Sequence, residues 1–415
     1  MTELFFTASP NECRDLIVGR LREPAPGRVQ LLTGPRQIGK TTLLLQICEE
    51  MGSKAIYVAC DSPEAGVPGF WERLWTNAED NAERQGLVCV FLDEIHLVSD
   101  WAAKLKSAWD RLKRRKIPIH VVATGSCALS LSWGSRESLA GRFERITLSH
   151  WDAKALATTF GLEPSVAVET FVQQGSYPGA IEGRNDLRRW SAYVRDAIVD
   201  PAIGRDILAL GPIRKPALLR QVFAVAASSP AQIVALKKLQ GQLQDGGALE
   251  TIAHYLSLLS EAYLIAPLTK FGATEQRARA APPKLISLSN ALLAVTDPRG
   301  IPVQEREPDR FGRWVENACL AYAWNQGQKV QYWREEPLEV DGVLEGSWGK
   351  WAIEVKTGRV EMSDLKGLAE LTRRFPSYRP LLVSDLSAKT IAERAGIHFV
   401  PWQQFLLEGL DSQRI

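Results

Sequence analysis

The sequence has no C-x-x-C pair, no apolar run long enough to cross a bilayer and almost no net charge. Each absence excludes a class of protein. The cysteines lie scattered at positions 13, 48, 60, 89, 127 and 319. That spacing excludes a zinc ribbon or a disulfide framework and suits reduced thiols. A membrane-spanning helix needs about 20 consecutive apolar residues, and no segment approaches that. The stretch from Met1 to Thr7 lacks the basic region and apolar run of a signal peptide, so a cytoplasmic location with no membrane partner is expected. The net charge of +2 gives no global sign of a nucleic-acid binder, so any such surface must be local.

What is there reads as an ordinary globular chain. Of its 415 residues, 45% are hydrophobic and 24% charged. That length suits about two to four domains. The count of thirteen tryptophans is high, and most are expected in cores or interfaces.

The strongest pattern runs from Gly34 to Thr41, which reads G-x-x-x-x-G-K-T. Val29–Thr33 before it reads as a buried strand and Thr42–Cys48 after it as a helix. Strand, glycine loop and helix is the context that a phosphate-binding P-loop requires. Backbone N–H groups of such a loop, opening on a helix N-terminus, cage phosphate oxygens. Gly34, Pro35, Arg36, Gln37, Ile38, Gly39, Lys40, Thr41 and Thr42 are the expected nucleotide contacts. Lys40 would reach the β- and γ-phosphates, and the Thr41 hydroxyl would ligate Mg²⁺.

A second apolar strand, Leu87–Leu92, runs straight into Asp93 and Glu94. Asp93 is expected in the Mg²⁺ shell and Glu94 beside the attacking water, a pairing that favours ATP hydrolysis over a kinase or a simple switch. The bland alternative is a pair of charges at a helix N-terminus. Ile117–Thr124 reads as another buried strand. Thr124 or Ser126 at its end would sense the γ-phosphate or simply cap the strand. Arg142 and Arg145 follow. Arg142 is the preferred catalytic arginine, acting in its own chain or as a finger in a neighbour's site, against the alternative of a surface ion pair. A finger acting in trans implies a homo-oligomer.

Gly34–Thr42, Asp93–His96 and Ser138–Phe143 together resemble the prokaryotic AAA-type ATPases that carry a C-terminal domain of unknown function. Gly175–Gly179 fits the glycine-tyrosine-proline turn of that family. The resemblance covers nearly the whole chain. It implies an α/β fold with an ASCE-type P-loop sheet covered by helices on both faces, a helical or winged-helix middle and a restriction-endonuclease-like C-terminal domain. Expected boundaries are 1–160, 161–295 and 300–415.

In the middle, helical stretches are expected at about 215–227, 231–243 and 248–262. The strands 263–268 and 284–288 would flank a loop, completing a winged helix. Lys270, Arg277 and Arg279 in that loop, with Lys284 at its exit, would form a basic wing able to touch phosphates. The third helix offers Glu250 and Glu261 and no arginine, which is poor chemistry for reading base edges. The aspartate usual in that family after the second wing strand is missing from Leu288–Asn290.

In the C-terminal part, Glu354 and Lys356 stand two apart on an expected strand, so they share a face. Asp341 lies on the strand before, and Glu316 on a helix. An aspartate followed by Glu-x-Lys on a hairpin resembles an endonuclease core, where carboxylates hold Mg²⁺ and the lysine serves a water. The alternative is an ion pair without metal. The leading expectation is a Mg²⁺-dependent AAA-type ATPase that couples ATP turnover to a transaction on DNA or RNA. Its rivals are an ATP-licensed nuclease and a nucleotide-gated scaffold for another protein.

Overall fold

The computed structural model describes residues 4–125, 141–208, 213–244, 247–272, 274 and 280–410. The chain divides into two compact units, 1–149 and 150–415.

The first unit is built on strands that are apolar from end to end. β2 (Val29–Thr33), β4 (Val88–Asp93) and β5 (Ile119–Thr124) are buried at every position. Such runs belong inside a parallel sheet with both faces covered. With β1 (Leu4–Thr7), β3 (Ala55–Ala59) and β6 (Phe143–Leu148) they form a six-stranded sheet in the order β1-β6-β2-β5-β4-β3. Every pairing in it is parallel. β5 thus lies between β2 and β4 and brings the ends of all three together. Helices Phe70–Gln85 and Trp101–Arg115 bury Leu74, Trp75, Leu105 and Leu112 in one core with Val90, Leu92 and Val121.

The second unit contains two sheets. Helix Pro216–Ala227, the short β7 (Gln232–Ile233), helix Leu236–Gln240 and helix Leu249–Glu261 precede β8 (Ile265–Leu268) and β9 (Lys284–Ser287). The three strands form an antiparallel sheet in the order β7-β9-β8. The helix expected over 231–243 is therefore shorter, because a strand takes its first residues. Ala231 has φ 54°, a left-handed turn straight after Pro230 that stops a helix from starting there.

The second sheet runs in the order β10 (Lys329–Glu335), β11 (Leu338–Gly346), β12 (Gly349–Val355), β13 (Arg379–Ser384) and β14 (His398–Pro401). β10 to β12 are antiparallel. β12 to β14 are parallel and joined through helices Lys366–Arg374 and Lys389–Ala395. Helix Pro308–Asn325 buries Trp314, Val315, Cys319 and Leu320.

The segments expected as two domains, 161–295 and 300–415, share this unit. Buried amides tie them together. Asn317 donates to the Ser287 carbonyl and to Asn290 Oδ1, both at 2.8 Å, while its own Oδ1 accepts from Ser287 N–H at 2.9 Å. Asn290 donates on to the carbonyls of Val172 and Trp314. Such pairing is what a buried amide requires. Trp190, Trp314, Trp333 and Trp351 are fully buried here, as is Trp75 in the first unit.

Candidate functional site

The P-loop leaves the end of β2, and its backbone explains its glycines. Gly39 has φ 98° and Gln37 φ 58°, both left-handed. A Cβ placed on Gly34 would lie 2.0 Å from the Leu148 carbonyl oxygen, so only glycine lets the loop start run against β6. Helix Lys40–Met51 opens directly behind the loop, with Gly39 as its N-cap. Its first N–H groups lack partners within the helix, and its dipole end is positive. Lys40 is buried and donates from Nζ to the carbonyls of Gly34, at 3.0 Å, and Pro35, at 2.7 Å.

The acidic pair stands beside this turn. Asp93 ends β4 and is buried. Its Oδ2 accepts from Thr41 Oγ1 at 2.7 Å and from Tyr57 Oη at 2.9 Å. Its Oδ1 accepts from Thr124 Oγ1. Thr124 in turn accepts the Glu94 N–H at 3.0 Å. One hydroxyl at the tip of β5 therefore fixes both acids. Glu94 has φ 52°, an uncommon conformation for a residue with a side chain. Its Oε2 lies 3.2 Å from His96 Nδ1. Burial and the neighbouring Asp93 raise the Tyr57 hydroxyl above its ordinary value, so it acts as a donor.

The sequence-expected residues Lys40, Thr41, Asp93, Glu94 and Thr124 thus converge. Sequence reasoning missed Tyr57, which reaches Asp93 only because β3 pairs with β4, with Ala59 opposite Asp93. Ser126 lies outside the described residues, as do Ser138 to Ala140. Arg142 does not join the site. Its carbonyl accepts from Val29 N–H at the start of β2. The P-loop leaves from Thr33, four residues or about 13 Å further along the strand. Its guanidinium pairs with Asp110 at 2.8 Å and lies 5.7 Å from the Trp109 ring centre. Its described contacts therefore lie at the opposite end of β2 from the P-loop.

Mg²⁺ favours hard oxygen ligands and keeps several waters and phosphate oxygens when bound. A hydroxyl and a carboxylate meeting beside a P-loop suit it, so Thr41 and Asp93 fit the ion.

Residues 26–156 match the family model described as an AAA domain. The first unit is thus similar to AAA domains over most of its length. Residues 166–299 and 311–405 match two models described as domains of unknown function, DUF8612 and DUF4143. The chain is 26% identical over 337 residues to uncharacterized proteins of Mycobacterium tuberculosis and Mycobacterium bovis, spanning 79% of this chain and 70% of each relative. Among solved structures, the Aeropyrum pernix ORC2 protein in its ADPNP–ADP complexes is 16% identical, with a TM-score of 0.41, over 74% of this chain and 92% of that one. Aquifex aeolicus DnaA bound to AMPPCP is 15% identical, with a TM-score of 0.32, over 62% and 89%. Likenesses this distant fix neither fold nor activity.

The C-terminal acids form a second cluster. Pairing of Gly342 with Ile353 sets Asp341 on β11 beside Glu354 on β12. Both are buried, and Glu316 on helix Pro308–Asn325 has 16% of its side chain exposed. Lys356 Nζ pairs with Glu354 Oε1 at 2.9 Å. The remaining cation was expected elsewhere. Lys284 is not part of a basic wing: its side chain is 1% exposed and points into these acids. Its Nζ lies 2.6 Å from Glu316 Oε1 and 3.1 Å from Asp341 Oδ1. Arg277 and Arg279 lie outside the described residues.

Burial and Asp341 push Glu316 up to about 8, against the pull of Lys284. Burial would also raise Asp341, but Lys284, Lys356 and the Val355 N–H hold it below the usual carboxylate range. Glu354 is raised well above its ordinary value by burial and by Asp341. Among the described residues, no group of three or more His, Cys, Asp or Glu is gathered so as to hold a metal ion.

Proposed function

We propose that this chain is a Mg²⁺-dependent ATPase whose turnover drives its second unit on a bound partner. One observation carries the reading: Thr41, Asp93, Glu94 and Thr124 meet beside the P-loop through hydrogen bonds. In this reading Lys40 exchanges the loop carbonyls for phosphate oxygens, while loop N–H groups from Gly34 to Thr42 cradle the rest. Thr41 and Asp93 hold Mg²⁺, which neutralises phosphate charge when bound. Glu94 orients the attacking water, with its backbone pinned to Thr124. Arg142 enters only from a neighbouring copy, so the ATPase works as a homo-oligomer in the cytoplasm. Among the described residues, no helix is long and apolar enough to cross a membrane.

The order of helices and strands from Pro216 to Ser287 supports a winged helix as the partner-binding module. The β10–β14 sheet supports a restriction-endonuclease-like fold, which alone does not imply cleavage. A protein partner suits the exposed face of helix Leu249–Glu261 better than a base-reading role. That face presents Glu250, Ala253, His254 and Ser257 and no lysine or arginine. DNA or RNA remains the second reading, supported by Lys270 and by Arg277 and Arg279 of the sequence.

ATP binding measured by calorimetry tests the core of the proposal. Lys40→Ala should lose tight binding. Unchanged affinity in a folded Lys40→Ala chain would sink the P-loop reading. A salt-dependent gel shift separates the two partner classes, since phosphate contacts weaken steeply with salt.

A further inference from the structure

The Glu316–Asp341–Glu354 cluster has the residue types of a metal-dependent nuclease centre, yet most of its carboxylate oxygens already face a lysine or a backbone N–H. Lys284 Nζ contacts Glu316 Oε1 and Asp341 Oδ1, donates to the Asp341 carbonyl at 3.2 Å and lies 3.6 Å from Glu339 Oε1. Asp341 Oδ2 accepts the Val355 N–H at 3.0 Å. Glu354 Oε1 is taken by Lys356. Glu354 Oε2 is buried without a hydrogen-bond partner, as is Glu316 Oε1 apart from its ion pair with Lys284.

Lys284 does not belong to the sheet that carries these acids. It opens β9 of the β7–β9–β8 sheet, in the segment matching the first domain of unknown function, whereas all three acids fall in the segment matching the second. A buried ammonium is stable only where several oxygens replace its water. Here it receives two carboxylates, one carbonyl and a nearby third carboxylate.

We propose that Lys284 is the built-in cation of this cluster, taking the oxygens that a divalent ion would need and keeping the nuclease-like centre closed to metal. The acids then join the two sheets of the unit in place of binding a catalytic ion. A divalent ion entering the cluster would have to displace a buried lysine and remove protons from Glu316 and Glu354. Like charges confined at this range repel strongly in a low-dielectric interior. The reading is independent of the ATPase assignment, since it concerns only the second unit.

Manganese binding followed by electron paramagnetic resonance tests it, on the full chain without nucleotide. Wild type and Glu354→Gln should give the same titration at neutral pH. Lys284→Met should gain one Mn²⁺ site, at least about tenfold tighter than any wild-type binding, and Lys284→Met/Asp341→Asn should lose it again. Wild-type Mn²⁺ that disappears in Glu354→Gln would overturn the proposal. So would a folded Lys284→Met chain that gains no site. If Lys284→Met does not fold, the comparison of wild type with Glu354→Gln decides alone: equal titrations sustain the proposal and a lost site refutes it.

Discussion

The chain contains two acidic centres, and their neighbours differ in kind. Asp93 is approached by three hydroxyls, from Thr41, Tyr57 and Thr124. Asp341 is approached by a buried ammonium and a backbone N–H. Hydroxyls can turn and share a carboxylate with an incoming ion, because each both donates and accepts. A lysine only donates and already carries the charge that an ion would bring. Acids alone therefore do not define a metal centre, and what surrounds them decides. The first arrangement suits an ion that comes and goes with a nucleotide. The second suits a contact made once, on folding.

The largest effect that can break this contrast is kinetic. Glu94→Gln should retain ATP binding and lose about 10²–10⁴ in turnover, as for removal of a group that handles the proton of an attacking water. A phosphate-release assay checks it, and normal turnover would leave Glu94 without its role. Next comes the closed cluster. Lys284→Met leaves acids buried without their cation and should cost about 3–5 kcal/mol by urea denaturation. Adding Glu316→Gln should restore part of that loss. A matching change in the first unit should not: Tyr57→Phe removes one of three hydroxyls from Asp93 and should cost only about 1 kcal/mol.

A pH series sharpens the same point. Glu316 is raised from 4.5 to about 8 in the folded chain. Between those values the folded chain holds a proton that the unfolded chain has lost, so stability should fall as pH rises through the window. Melting temperatures should show that fall in wild type and a flatter profile in Glu316→Gln. An unchanged profile would mean that Glu316 does not keep its proton.

Legibility in the sequence followed distance along the chain. The P-loop could be read because its chemistry lies within nine consecutive residues and needs only a strand before and a helix after. Asp93 and Glu94 could be read because a buried strand ends on them. Tyr57 could not, since its contact depends on β3 lying next to β4, and strand order leaves no local mark. Lys284 was misread for a related reason. Its sequence neighbours are the basic loop residues, while its partners are 32 and 57 positions away, at Glu316 and Asp341. β7 was hidden because two residues are too few to show alternation. The acids of the C-terminal part lie near one another in the structure, but the identity of their cation depended on a sheet formed by another segment.

The bare backbone of Gly34 has a mechanical consequence. With no side chain, it rests against the carbonyl of Leu148, the last residue of β6. The next residue, Ser149, is tied to β1 through its N–H and its hydroxyl, which both donate to Thr7 O at 2.8 and 2.9 Å. His150 then begins the second unit. The start of the P-loop thus packs on the end of β6, so a side chain at position 34 would push that strand away from its place beside β2.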